Sequence, residues 1–456
     1  MSGPSRREAS GRGHAVVIGG SVAGLTAAGA LARHFDQVTL VERDRFPDGP
    51  AYRKGIPQSR HLHVFLTGGL AALERLFPGV EDDLVAAGAV RVRSFEEIRW
   101  LNAQGWSERF PTGEHFLSCS RELFDWRLRE RLHSLRNLEV KQASEVVELW
   151  AGEAGVSGVR LRERDAALAA DLVVDASGRS TRAHQWLDAL GYGRPAQTRI
   201  DASLAYASRV YAPPPGFSAD WLALYLQPQP PATCRAGVLA PLEGGRWIAT
   251  LSGVGQDHSP PTDEPGFLGF ARSLRSPLLY EAIQDAEPRS PIWGYRRTEN
   301  QRWHYERMRR WPERFVVIGD AACAFNPVYG HGMAVAAMTA VALDRRLAGA
   351  PADLSGFARR FQSQVAKCNA AAWLIATGED LRYPTTTGAR ASRLTRCTHR
   401  YMDRVMRAAN RDARANLAFA KVLGLVASPQ SLFRPSVMAL ALARGGRPQR
   451  KEDPDE

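Results

Sequence analysis

The stretch His14-Ala15-Val16-Val17-Ile18-Gly19-Gly20-Ser21-Val22-Ala23-Gly24 decides how the first part of the chain folds. An apolar run of strand length enters a turn of small residues, and Leu25, Ala28 and Ala32 follow at helical spacing. After a short break comes Gln37-Val38-Thr39-Leu40-Val41-Glu42, a second apolar run ending in an acid. Strand, glycine turn, helix, strand and acid form a unit suited to a dinucleotide. The backbone can approach a pyrophosphate, the helix N-terminus offers free N–H groups and its positive dipole end, and the acid accepts from a ribose hydroxyl. The fingerprint reads G-x-S-x-x-G, with Ser21 at the middle glycine position, where a small hydroxyl can still donate to a phosphate. Gly19, Ser21, Ala23, Gly24 and Glu42 are therefore candidate dinucleotide-binding residues. Turns of this kind also serve NAD, S-adenosylmethionine or no ligand at all, so this stretch alone does not select the ligand.

A second stretch far along the chain narrows the choice. Phe315-Val316-Val317-Ile318-Gly319-Asp320-Ala321-Ala322 runs on to Asn326-Pro327-Val328-Tyr329-Gly330-His331-Gly332-Met333 and an Ala-rich helix. Taken with the first stretch, it reads as the place where the ribityl chain and ring of a flavin are held. A helix beginning near Gly332 would aim its N-terminal N–H groups at the flavin edge that carries charge when reduced. Gly330 and Gly332 permit the approach, and Pro327, Gly330 and His331 form a loop that positions the ring. His331 and Tyr329 are expected to brace this loop rather than to transfer protons. Between the two stretches, Asp171-Leu172-Val173-Val174-Asp175-Ala176-Ser177-Gly178-Arg179-Ser180 takes an apolar strand into another glycine turn, and Arg121 opens a helix after Cys119-Ser120.

Three ordered motifs of this kind resemble the para-hydroxybenzoate hydroxylase-like flavin monooxygenases, from about residue 14 to about residue 375. The resemblance implies an α/β fold with a Rossmann-like FAD-binding lobe of the GR2 type, a β-sheet substrate lobe and a C-terminal helical region. It also implies that Asp320 binds a ribityl hydroxyl and that Arg121 reaches the flavin chain. Arg43, Arg53, Gly332 and Met333 join the residues expected to hold the cofactor. Ala176 and Ser177 stand where the family shows a second aspartate-glycine pair. Electrons from NADPH or NADH are thus expected to arrive either directly or through a separate flavin reductase. Within the superfamily, Arg53-Lys54-Gly55-Ile56-Pro57-Gln58-Ser59-Arg60-His61-Leu62-His63, Gly244-Gly245-Arg246-Trp247-Ile248, Asn300-Gln301-Arg302-Trp303-His304-Tyr305 and Phe325–Met333 look like the bacterial epoxidases of polyether polyketide biosynthesis.

The resemblance implies a monooxygenase that uses O2 through a flavin C4a-hydroperoxide to epoxidise or hydroxylate an apolar natural-product intermediate, a polyketide or terpenoid. The alternatives are a flavin-dependent halogenase and a flavin-dependent reductase of carbon–carbon double bonds. Halogenases of this type show a Trp-x-Trp-x-Ile-Pro stretch and a dedicated lysine. Trp311-Pro312 is not that stretch, and Lys54 is the lysine near the start of the flavin lobe. A flavin-bound regulatory or nucleic-acid-binding protein is a third reading, supported by charge alone.

The rest of the chain fits a flavoenzyme. Its 456 residues suffice for several cores. The expected domains are a disordered leader at 1–13, a discontinuous FAD-binding domain at 14–90, 119–185 and 296–375, a substrate sheet at 91–118 and 186–295, and a helical region at 376–456. Trp100, Trp106, Phe110, Trp221, Tyr225 and Trp247 are candidates for an apolar pocket. His61 and His63 would point the same way if they lay in a strand, as buried, hydrogen-bonded histidines. The five cysteines are scattered and odd in number, so neither a disulfide framework nor a metal site is expected. The start lacks the apolar core of a signal peptide and no apolar run is of membrane-spanning length, so a cytoplasmic protein is expected. The net charge is +12, and Arg390, Arg393, Arg396, Arg400, Arg404, Arg407, Arg411 and Arg414 recur at helical spacing along one face of a helix. Aromatic residues to stack on bases are nearly absent there, so no nucleic-acid partner is expected. Contact with a membrane surface or an acyl carrier protein remains an expectation for that helix.

Overall fold

The computed structural model describes residues 12–152, 155–162 and 164–446, with the side chains of 164–166 excepted. The leader expected over 1–13 lies outside these residues apart from Arg12 and Gly13, which belong to the fold. The Arg12 guanidinium donates to the Ala350 carbonyl at 2.7 Å, and the Gly13 carbonyl accepts from the Gln37 N–H at 3.1 Å. The hairpin expected around Ala151–Gly155 forms between Val146–Gly152 and Gly155–Leu161, and its residues 153 and 154 are outside the description.

His14–Ile18 is the middle strand of a five-stranded parallel sheet, in the order Phe315–Val317, Leu172–Asp175, His14–Ile18, Gln37–Val41, Leu138–Lys141. Ala15, Val16 and Val17 are all fully buried. Because successive strand residues point to opposite faces, both faces of this strand are covered, which is why the sequence there is a continuous apolar run. The helix Val22–Leu31 packs on this sheet and against the long helix His331–Ala348. A three-stranded meander, completed by Arg164–Ala169, packs on Leu172–Asp175. The motifs recognised in the sequence therefore sit side by side at the carboxyl ends of adjacent parallel strands, where open α/β sheets bind ligands.

A second, eight-stranded sheet carries the aromatic and β-branched segments: Ala205–Ala212, Ala223–Leu226, Arg235–Pro241 and Trp247–Gly253 are joined by Ile98–Asn102. Ile98–Asn102 pairs parallel with Ala223–Leu226, while the other neighbouring strands run antiparallel. Alternation divides the faces. Ala207, Leu224, Leu239, Ala249 and Leu251 pack under the helices Glu264–Arg272 and Leu278–Ile283. Their neighbours Tyr206, Tyr225, Val238, Ala240, Thr250 and Ser252 look the other way, into a cavity shared with the parallel-sheet lobe. Helices from Phe357 onward close the molecule, and among the described residues none is long and apolar enough to cross a membrane.

Candidate active site

A single cavity of about 630 Å³ joins the glycine turn, the segment after Gly319 and the inner face of the large sheet. Gly19, Ser21, Ala23, Glu42, Arg43, Arg53, Arg121, Asp320, Pro327, Gly330, Gly332 and Met333 all line it. Gly24 stands behind the turn, and His331 is not among the lining residues.

The turn at Gly19–Ser21 is held from beneath by a buried network of charges. Glu42 accepts from the Gly20 N–H at 2.6 Å and the Asp44 N–H at 2.9 Å, and its Oε2 pairs with Arg53 at 3.0 Å. Arg53 also donates to the Gly20 carbonyl at 2.6 Å. Arg121 donates to Asp125 at 2.7 Å, to the Ser21 hydroxyl at 2.8 Å and to the Met333 sulfur at 3.3 Å, linking the two motifs across the cavity. Glu42 therefore has a structural role that precedes any ribose contact: it fixes the turn and neutralises Arg53. The helix Val22–Leu31 begins with no side-chain cap, and the Ser21 hydroxyl accepts from Arg121. Its first N–H groups face the cavity without intrahelical acceptors.

At the other end, Asp320 keeps about a third of its side chain exposed and lies 3.7 Å from the Arg179 guanidinium. Burial raises its pKa, and Arg179 and Arg121 pull against that shift. Arg179 is held by the carbonyls of Glu299, at 2.8 Å, and Phe325, at 2.5 Å. Asp175, in the motif that delivers Arg179, is fully buried and braces its own turn by accepting from the Ser177 N–H and the Thr181 hydroxyl. Next comes the turn Pro327–Tyr329, closed by Gly330 at φ +70°, a conformation that favours glycine. The helix His331–Ala348 then starts uncapped toward the same cavity. Its first residue, His331, is fully buried, and burial pushes its pKa down to about 4.

This turn is anchored by a residue outside every motif. Asp380, the last residue of the helix Phe357–Asp380, accepts from Asn300 at 2.6 Å, Asn326 at 3.0 Å and the Tyr329 hydroxyl at 2.8 Å. Burial outweighs these hydrogen bonds and pushes its pKa up to about 6. A carboxyl whose folded pKa exceeds its unfolded value favours folding fully below about pH 4, and that contribution is lost as pH rises through about 6. The stability of the wild type relative to Asp380→Asn is therefore expected to fall by on the order of 2–3 kcal/mol between pH 4 and pH 7 in urea unfolding. A difference that stays flat with pH would remove Asp380 as the titrating anchor.

The substrate side is apolar with a few polar points. His61 bonds the Ser208 hydroxyl at 2.8 Å, which in turn meets Thr250 at 2.7 Å, and the Tyr206 ring stands edge-on to His61 at 4.6 Å. His63 bonds the His61 carbonyl at 2.9 Å. Both histidines line the cavity just ahead of the short strand Val64–Phe65, and burial drives the pKa of each down to about 3. Of the aromatic residues singled out in the sequence, Trp100 and Tyr225 reach the cavity. Trp221 and Trp247 gather around Phe217 on the far side of the sheet, and Trp106 packs with them in that core.

The C-terminal helices are part of this wall. Ala420, Leu423 and Gly424, at the end of the helix Ala413–Leu423, line the cavity, and the Gly68 N–H donates to the Gly424 carbonyl at 2.9 Å. The arginine band is consequently not one helix face. Arg393–Ala409 ends before Asn410, and Asp412 caps the next helix by accepting from the N–H groups of Arg414 and Ala415. Side-chain capping by Asp412 overrides the arginine periodicity there.

These features suit FAD. Two uncapped helix N-termini open on one cavity, with a carboxylate at one end and a pyrophosphate-type turn at the other. Residues 13–377 match the model of the FAD-binding-domain family, and the chain belongs to that family of flavoproteins. A relative in Mycobacterium tuberculosis, protein Rv3254, is 32% identical over 416 residues, covering 88% of this chain and 86% of its own. Among solved structures, PqsL of Pseudomonas aeruginosa, described as a probable FAD-dependent monooxygenase, superposes with a TM-score of 0.62 at 16% identity, covering 81% of this chain and 97% of its own. The flavin-dependent brominase Bmp2 superposes with a TM-score of 0.63 at 17% identity, covering 96% of this chain and all of its own. At such identities these structures speak for the fold alone, which this chain shares with flavoproteins.

Proposed function

We propose that the protein is an FAD-dependent monooxygenase that places one atom of O2 on an apolar small molecule, by epoxidising an alkene or by hydroxylation. The observation that carries this reading is the continuity of the cavity, whose cofactor end runs without a break into a chamber walled by Trp100, Tyr206, Tyr225, Val238 and Leu423. FAD, when bound and reduced, supplies the activation of oxygen. The chain's own residues do the remaining work. The apolar walls orient the target and exclude water. The uncapped N-terminus of His331–Ala348 opens on the cofactor end, where it would stabilise negative charge on the reduced cofactor. His61 and His63 are neutral near pH 7 and hold hydrogen bonds, which suits positioning better than acid catalysis. The motif resemblance to polyether epoxidases favours epoxidation of a polyketide or terpenoid alkene. NADPH or NADH is the electron source, directly or through a separate flavin reductase.

The test is a turnover of FAD-loaded protein with an alkene-bearing apolar substrate under labelled dioxygen. The expected product carries one labelled oxygen, and label from water should be absent. A saturated product formed without oxygen would assign the protein to the double-bond reductases. A halogenated product that requires chloride or bromide would assign it to the halogenases, a reading that the presence of Lys54 in the cavity wall keeps in view.

A further inference from the structure

The C-terminal helices present an amphipathic outer surface that the cavity does not explain. Leu394, Phe433, Met438 and Leu442 expose 77%, 46%, 41% and 64% of their areas. On Arg393–Ala409, the exposed arginines Arg393, Arg396, Arg400 and Arg404 recur at intervals of three and four, a stripe along one face. Met438 and Leu442 are likewise one turn apart on Pro435–Arg444. The two helices pack together, and on either side of Pro435–Arg444 Phe433 stacks on Tyr401 at 4.8 Å and the Gly445 carbonyl accepts from Arg407 at 2.6 Å. A Cβ at Gly445 would come within 2.8 Å of the Arg404 Cβ, so the end of the apolar stripe lies beside the basic one.

Nearby acids do not neutralise the stripe. Asp403 and Glu379 are both taken by Arg382, and Asp412 by Arg414 and Arg444. Arg393, Arg400 and Arg404 form no ion pair among the described residues.

We infer that this face docks on the surface of an anionic lipid bilayer, with Met438, Leu442 and Phe433 entering the interface and the arginine stripe facing the headgroups. Apolar side chains on outward-facing helices combined with unneutralised cations supply the two signals that stable peripheral attachment requires. The helices would lie on the bilayer and not cross it. Ala413–Leu423 packs beside them and lends Ala420 and Leu423 to the cavity wall, so docking would bring that wall close to a lipid reservoir of apolar molecules. The inference stands whether or not the oxygenation proposed above is the reaction.

The test sediments full-length, FAD-loaded protein with vesicles of phosphatidylcholine alone and of two parts phosphatidylcholine to one part phosphatidylglycerol. Binding is expected to the mixed vesicles, to weaken as salt is raised, and to be marginal on phosphatidylcholine alone. The paired changes Met438→Glu with Leu442→Glu, and Arg400→Glu with Arg404→Glu, should each lower vesicle affinity about tenfold or more. The FAD spectrum and lipid-free turnover should stay unchanged. The inference is overturned if the wild type stays in solution with both vesicles, binds both equally, or shows no salt dependence. It is also overturned if the variants bind as the wild type does, or if the protein binds an acidic carrier protein or DNA while ignoring the vesicles.

Discussion

Asp320→Ala is expected to weaken FAD binding by one to two powers of ten in a fluorescence titration of the apoprotein. The carboxylate lines the cavity, and the motif resemblance expects it to accept a charge-assisted hydrogen bond from the cofactor, worth about 1.5–3 kcal/mol. The substitution also separates that loss from unfolding. Arg179, the cation at 3.7 Å, keeps its two carbonyl partners when the acid is gone, so the melting temperature of the apoprotein should move little. Asp320→Asn, which retains hydrogen-bonding capacity without the charge, should fall between the two. Undiminished FAD affinity in Asp320→Ala would show that the cofactor lies elsewhere in the cavity.

Gly24→Ala should have the larger effect on stability. Its ideal Cβ would lie 1.7 Å from the Gly19 carbonyl oxygen, a backbone atom of the very turn that faces the cavity. The turn must open to admit a methyl group, at a cost of about 3 kcal/mol or more, and the backbone next to the pyrophosphate position shifts with it. Thermal melts and FAD titration should both register the change. Gly269→Ala provides the contrast: it lies in an exposed helix position with nothing within 4 Å, so the added methyl should stabilise the protein by about 0.5–1 kcal/mol. If both substitutions prove neutral, the close approach of turn and helix is wrong.

The parts of the site that the sequence discloses are those in which local chemistry and long-range role coincide. Gly19, Gly24 and Glu42 are spaced by one strand-turn-helix-strand unit, and that unit is both the local fold and the part of it that opens on the cavity. Gly319-Asp320 likewise ends a strand at the same sheet edge. Asp380 left no such trace. Its partners Asn300, Asn326 and Tyr329 are 51 to 80 residues away, and an acid closing a long helix looks like any solvated end. The pairing of Arg179 with Asp320 was hidden in the same way, although Arg179 stood within a quoted motif. Trp221 and Trp247 show the converse difficulty. Their aromatic character announces burial, while the side each takes depends on strand register for Trp247 and on the loop before Ala223–Leu226 for Trp221. The arginine band failed as one helix because periodicity gives no weight to the stop at Asn410–Asp412.

The placement of Ala420, Leu423 and Gly424 in the cavity wall separates two tasks along the chain. The cavity-lining residues expected to hold the cofactor all lie before residue 334, whereas the far boundary of the chamber is drawn by a helix some ninety residues later, fastened to the body through Gly68. Exchanging side chains at positions 420 and 423 reshapes the space available to a substrate without touching a residue of the glycine turn or of the Asp320 segment. The shape of the chamber can thus diversify independently of the glycine turn and the Asp320 segment, and small helical substitutions there are the natural starting point for fitting it to molecules of different girth.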